Sequence, residues 1–152
     1  MDFYLVRHGE AKSELEDPRR PLSDHGRGQV EKVGRAVAAK GISVSKILHS
    51  DKLRAKETAE ILGEYLFPPD GVFEVKGLGP EDDPSLFKAE LELADDSLML
   101  VGHLPHLGRL ASLLVVGEPE NSVADFPPAA IVCISRAAEK WEVRWVVTPQ
   151  SA

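Results

Sequence analysis

Five short apolar runs, at residues 3–6, 45–48, 98–101, 130–134 and 141–147, punctuate the chain, and segments of helical periodicity separate the first four. Short apolar runs bounded by turn-forming residues read as buried strands; a further stretch, 72–75, is less apolar and a weaker strand. In 29–39, Val30, Val33 and Val37 recur at i, i+3 and i+7, with Gly41 as the stop. A second helix is expected to begin after Ser50 as its N-cap and to turn Leu53, Ile61, Leu62, Tyr65 and Leu66 inward until Pro68 and Pro69 end it. A third covers 84–93. The fourth has Pro105 as its first residue and carries Leu107, Leu110, Leu113 and Leu114 to Gly117. Strands alternating with helices predict an α/β fold: a single three-layer α/β/α domain over 1–152, built on a mainly parallel sheet covered on both faces. Runs 130–134 and 141–147 have no helix between them, so they predict a hairpin that gives the sheet its antiparallel edge strand. On the last run Trp141 and Trp145 are expected to share one side-chain direction, as cover for the core or the edge.

Length and charge narrow the function classes. At 152 residues the chain has room for one core and none for a second catalytic domain. Its net charge of −7 disfavours nucleic acid, whose affinity comes from Lys and Arg neutralising phosphates. Much of the acid lies between Glu81 and Asp96 and reads as a solvated loop and face. No 18 apolar residues run together, and the first residues lack a basic segment followed by a long apolar core. A cytoplasmic protein without membrane contact is therefore expected, and a monomer is the default. The single cysteine, Cys133, lies in an apolar run and reads as a buried, inert thiol.

Open parallel sheets bind ligands at the carboxyl ends of their strands. The first run ends in Arg7-His8-Gly9-Glu10, the second in Ser50 followed by a helix bearing Arg54, and the third in Gly102-His103-Leu104-Pro105. Arg7 and Arg54 are permanent cations whose forked donors suit phosphoryl oxygens, and His8 and His103 are placed to attack such a group or stabilise its charge. Glycines 9 and 102 would let backbone approach the anion, and the backbone N–H of Leu104, just before a helix, would point at it. Thr58, one turn after Arg54, either steadies it or packs. His25, His49 and His106 read as surface or packing residues, with His106 also a candidate for the pocket rim. No Asp, Glu or His cluster has metal-ligand spacing, so neither a metal nor another cofactor is expected.

Four ordered blocks make the chain recognisable: Arg7-His8-Gly9-Glu10-Ala11; Arg20-Pro21-Leu22-Ser23 with Gly26; Ser50 through Thr58; and Gly102-His103-Leu104-Pro105. Together they resemble the histidine phosphatase superfamily, and within it the short SixA-type branch of protein phosphohistidine phosphatases. The resemblance implies a phosphoglycerate mutase-like fold. It also implies that His8 is the nucleophile that becomes phosphorylated, that Arg7 and Arg54 clamp the phosphate, that His103 stabilises the charge developed in transfer and that Arg20 reaches the substrate. Ala11, Lys12 and Ser13-Glu14 depart from the pattern of the larger mutase-like members, which argues against mutase activity.

The expected reaction is a two-step displacement in which neutral His8 attacks phosphorus and water then cleaves the phosphohistidine. Glu81, Asp82 and Asp83, in a predicted loop, are the candidate general acids. The stretch from Arg54 to His103 is too short for a large cap, and an open site suits a phosphate presented on a protein, such as phosphohistidine in a signalling relay. Two alternatives stand beside it: a phosphatase or mutase for small phosphate esters such as sugar phosphates, and a phosphate-binding module without turnover.

Overall fold

The computed structural model describes residues 1–152. In chain order the elements are β1 (Asp2–Arg7), α1 (Asp24–Ala39), β2 (Lys46–His49), α2 (Leu53–Leu66), β3 (Val72–Glu74), α3 (Ser85–Leu93), β4 (Leu98–Gly102), α4 (His106–Val116), β5 (Ile131–Ala137) and β6 (Lys140–Val147). They form one sheet ordered β3-β2-β4-β1-β5-β6. The strands β3, β2, β4 and β1 pair in parallel, β5 pairs antiparallel with β1, and β6 closes the hairpin at the edge. The weak run at 72–75 is thus a strand, short and exposed because it occupies the other edge.

Strand alternation explains the three layers. Successive side chains leave opposite faces of a strand, so Tyr4, Val6, Ile47, Met99, Val101, Ile131 and Cys133 join the core beneath α1 and α2. Their neighbours Phe3, Leu5, Leu48, Leu98, Leu100, Val132 and Ile134 join the core beneath α3 and α4. Both faces are covered, so the central strands read as continuous apolar runs rather than as an alternating pattern. Truncating a fully buried member such as Leu100 to Ala is expected to cost about 2–5 kcal/mol, because the packed surroundings cannot refill the space.

Four local expectations need correction. Helix α1 starts at Asp24, five residues before the valine pattern, because Ser23 caps it by accepting the Gly26 N–H at 3.0 Å; Gly26 and Gly28 hide the apolar periodicity of that first turn. Helix α2 has Lys52, not Ser50, at its N-cap and no side-chain cap, since the Ser50 hydroxyl is engaged elsewhere; Pro105 likewise caps α4 from outside rather than opening it. Finally, Trp141 and Trp145 face opposite layers. The register slips between Cys133, opposite Trp145, and Ile134, opposite Val143, so β6 carries one extra residue there. This bulge reverses the side-chain alternation. Trp141 packs on Phe3 and Trp145 on Tyr4.

No helix of the structure is long and apolar enough to cross a membrane.

Candidate functional site

Parallel pairing of β1 with β4 brings two strand ends side by side. Arg7 lies opposite Gly102, and the next backbone N–H, that of His8, donates to the Gly102 carbonyl at 3.1 Å. The following residue on each strand is then a histidine, and the His8 and His103 rings stand 5.0 Å apart between centroids, inclined by 55°. The turn that carries His8 is held from three sides. Ala129 donates its N–H to the His8 carbonyl at 3.1 Å, and Gly9 donates its own to the Thr58 hydroxyl at 3.1 Å. Against the third side lies α1: a Cβ on Gly9 would stand 2.8 Å from the Gly26 carbonyl oxygen, and one on Gly26 would run into the Glu10 carbonyl.

The His8 tautomer follows from its partner. Nδ1 is 2.6 Å from the Gly9 carbonyl, which only accepts, so Nδ1 carries the proton and Nε2 keeps its lone pair. Burial, opposed by that hydrogen bond and reinforced by the charges of Arg54, Arg7 and Arg20, holds the His8 pKa down to about 4. At neutral pH the ring is an uncharged base with one free nitrogen.

Three arginines surround it, and none of them enters a salt bridge. Arg7 donates one Nη to the Phe126 carbonyl at 2.9 Å, while its Nε is buried without a partner. Arg54 stands in the first turn of α2. Burial lowers the pKa of both, and at Arg54 the charge of Arg20 adds to the effect. Arg20 adopts a left-handed conformation (φ 49°) and donates its Nε to the Lys12 carbonyl at 3.1 Å. Its loop is closed by the Ala11–Leu22 bridge and fastened to α2 by Glu57, which accepts the Leu22 N–H at 2.8 Å and pairs with Arg27 at 2.6 Å. In a chain of net charge −7, three guanidinium groups near one imidazole without carboxylate partners concentrate positive charge of the kind an anion would neutralise.

His103 is 2% exposed, and its Nε2 lies 2.6 Å from the Ser50 hydroxyl, which also accepts the Lys52 N–H at 3.3 Å. The expected cap of α2 therefore orients a site imidazole instead. Burial first, then His8 and Arg54, depress the His103 pKa to about 3. Thr58 does both things the sequence left open: it packs fully buried, and its hydroxyl donates to the Arg54 carbonyl at 2.8 Å while holding Gly9.

Other candidates fall differently. Gly9 and Gly102 are close-packed against protein backbone, Gly102 with its Cβ position 3.2 Å from the Leu78 carbonyl, and the Gly9 N–H is taken by Thr58. At both glycines the space that a Cβ would take is already filled by neighbouring protein atoms. Leu104 is 39% exposed beside His103. His106 is fully buried with both ring nitrogens unpartnered, so it does not reach the rim. His49 is buried with Nδ1 2.8 Å from the Ser50 carbonyl, and His25 lies on the surface near Glu10. Asp82 accepts the Gly79 N–H at 2.7 Å, and Asp83 accepts that of Ser85 at 2.9 Å, a bond that lowers the Asp83 pKa and favours the carboxylate over an acid. Glu81 is exposed on the same loop. Cys133 is buried and its thiol pushed up to about 12, which leaves it inert. No group of three His, Cys, Asp or Glu side chains is gathered to hold a metal ion. Ser50, Glu57 and the Phe126 carbonyl are supports that the sequence reading did not identify; of these only Ser50 and Glu57 lie in a recognised block.

Comparison with known proteins places the chain among phosphatase relatives. The family model of the histidine phosphatase superfamily (branch 1) matches residues 3–70. An uncharacterised protein of Picosynechococcus is 37% identical over 126 residues, 78% of this chain and 75% of that protein. The phosphohistidine phosphatase SixA of Escherichia coli K12 is 28% identical over 123 residues, 78% of this chain and 76% of that one. A solved structure of the protein histidine phosphatase SixA complexed with tungstate superposes with a TM-score of 0.85 at 25% identity, covering 99% of this chain and 98% of that chain.

Proposed function

Since this chain belongs to the histidine phosphatase superfamily, in its SixA-type branch, and is a phosphatase, we propose that it removes phosphate from protein phosphohistidine through a phosphoenzyme formed on His8. In the first step the His8 Nε2 lone pair attacks phosphorus, the bond from phosphorus to the substrate nitrogen breaks, and the departing imidazole keeps that electron pair and takes up a proton. In the second, water attacks the phosphorus held on His8; the phosphorus–Nε2 bond breaks, inorganic phosphate leaves, and His8 returns to its neutral form.

Arg7, Arg54 and Arg20 hold the phosphoryl oxygens throughout, so catalysis is mainly position and positive potential in a site that excludes part of the water. The Gly9 carbonyl serves the nucleophile twice, keeping the proton on Nδ1 and stabilising the ring when phosphorylation makes it cationic. His103, oriented by Ser50, hydrogen-bonds the transferring group rather than titrating against it. Imidazole is a good leaving group, so a phosphoramidate needs less help from a general acid than a phosphate ester does. That fits Asp82 and Asp83 accepting backbone hydrogen bonds in their own turn.

The observation that carries this reading is the convergence of three arginines without carboxylate partners on an imidazole whose Nδ1 is tied to a carbonyl. The test is to offer the protein a histidine-phosphorylated protein beside sugar phosphates and nucleotides, and to trap the enzyme by rapid denaturation at alkaline pH. Preferred release from phosphohistidine, with an acid-labile phosphate on wild type but not on His8→Ala, is the expected result. Preferred turnover of the esters, or a phosphoenzyme that survives acid, would overturn it.

A further inference from the structure

A cleft of about 360 Å³ opens beside the phosphate site, between the start of α4 and the loop that follows that helix. One wall carries Leu104, Pro105 and Gly108, and the other carries Asp125 and Phe126. The outer loop has a fixed shape. The fully buried Ser112 hydroxyl bonds to the Glu118 carbonyl and accepts the Asn121 N–H at 3.0 Å; Arg109 pairs with Glu120 at 3.3 Å. The cleft therefore exists before anything enters it.

Two contacts join it to the chemistry. Leu104 follows His103 directly, and the Phe126 carbonyl holds the Arg7 guanidinium at 2.9 Å. Anything seated against Phe126 thus bears on a phosphate-binding cation. The cleft also has a charge opposite to that of the phosphate site: Glu120 and Asp125 line it and are exposed, against Arg109 alone, which Glu120 already engages. A ligand spanning both regions combines a phosphoryl group with apolar and basic surface a short distance away.

We propose that this cleft docks the polypeptide flanking the phosphorylated residue of a protein substrate, with an apolar side chain between Leu104 and Phe126 and basic side chains facing Glu120 and Asp125. The inference rests on the phosphoprotein reading above and adds where, and by what chemistry, the protein is distinguished from a small phosphate.

Gly108 provides the test. A Cβ built on it meets only a Leu104 methyl, at 3.8 Å, an ordinary contact. A larger side chain there enters the cleft, and replacing a helical glycine favours the helix rather than opposing it. Gly108→Phe, Gly108→Ala and Asp125→Lys are compared with wild type on two substrates sharing one scissile bond: histone phosphorylated on histidine, a basic protein, and free phosphohistidine. Gly108→Phe is expected to lower kcat/KM for the histone at least tenfold while free phosphohistidine stays within twofold. Gly108→Ala should change neither, and Asp125→Lys should reduce the histone alone, by several-fold. Equal loss on both substrates, or undiminished turnover of the histone by a folded Gly108→Phe variant, overturns the docking role. Hydrolysis of free phosphohistidine with no advantage for the histone also sinks the docking yet leaves phosphohistidine as the bond cleaved. No hydrolysis of either by wild type defeats the earlier reading, and the cleft assignment with it.

Discussion

Arg136 and Arg7 sit at opposite ends of the same sheet and are treated in opposite ways. Near the start of β1, Arg136 gives its guanidinium to the carbonyls of Leu91, Glu92 and Ala94, at 2.6, 2.8 and 2.9 Å, closing the C-terminal end of α3, and lies 5.5 Å over the Phe3 ring. Nearby, Arg144 pairs with Asp2, and Lys40 covers the Trp145 ring. At the other end Arg7 satisfies one carbonyl and leaves its Nε orphaned, while Arg54 and Arg20 stand together against their mutual repulsion. One end spends its cations on holding helix and hairpin to the sheet. The other leaves them without carboxylate partners, at some cost in stability, as the proposed phosphate site would require.

That contrast breaks first at His8. His8→Ala is expected to reduce phosphate release by about 10⁴-fold or more without lowering the thermal midpoint, as read by a turnover assay beside a melting curve. A variant that melts early would mean the ring serves the fold as Arg136 does. Next, Arg54→Ala should cost about 10²–10³-fold in kcat/KM, again with an unchanged or higher midpoint, since it removes a charge without a partner. A midpoint several degrees lower would make Arg54 a structural cation.

Arg136→Ala should do the reverse. Leaving three carbonyls at the end of α3 without their donor is expected to cost about 1–3 kcal/mol in denaturant unfolding, with kcat and KM unchanged. The smallest effect is in pH. Because His8 is held near 4, the acid limb of kcat/KM should fall near pH 4 rather than 6.5, the value of an ordinary imidazole. The same depression acts on stability. The unfolded chain takes up protons at these histidines first, so stability present above pH 6.5 is lost as pH falls toward the folded values of about 4 and 3. His103→Gln should flatten that slope in urea titrations from pH 6.5 to 4; an unaltered slope would show that His103 is not held neutral by the fold.

The sequence made the fold legible where side-chain patterns alone decide. Buried parallel strands such as 98–101 have no polar face to confuse the reading, and strand ends bearing Arg7, His8 and His103 follow from topology. It was less informative where backbone decides. The first turn of α1 is built from Asp24 to Gly28 with no apolar repeat, and its cap bond from Ser23 is visible only once the chain turns. Ser50 looks like a cap because serine often is one, but in the fold its hydroxyl goes to an imidazole 53 positions away. The bulge in β6 depends on pairing with β5, so no periodicity within 141–147 reports it. The Phe126 carbonyl that holds Arg7 is a main-chain atom, and main-chain acceptors carry no residue signature.

The contact between Gly26 and the Glu10 carbonyl means that the aim of the His8 lone pair is set from another layer of the molecule. Even one methyl on that first helical turn would meet the Glu10 carbonyl and push the turn after β1 outward, shifting the nitrogen proposed to attack while leaving every charged group intact. An engineer who redesigned only the charged side chains would thus miss the part with the finest tolerance, which has no side chain at all.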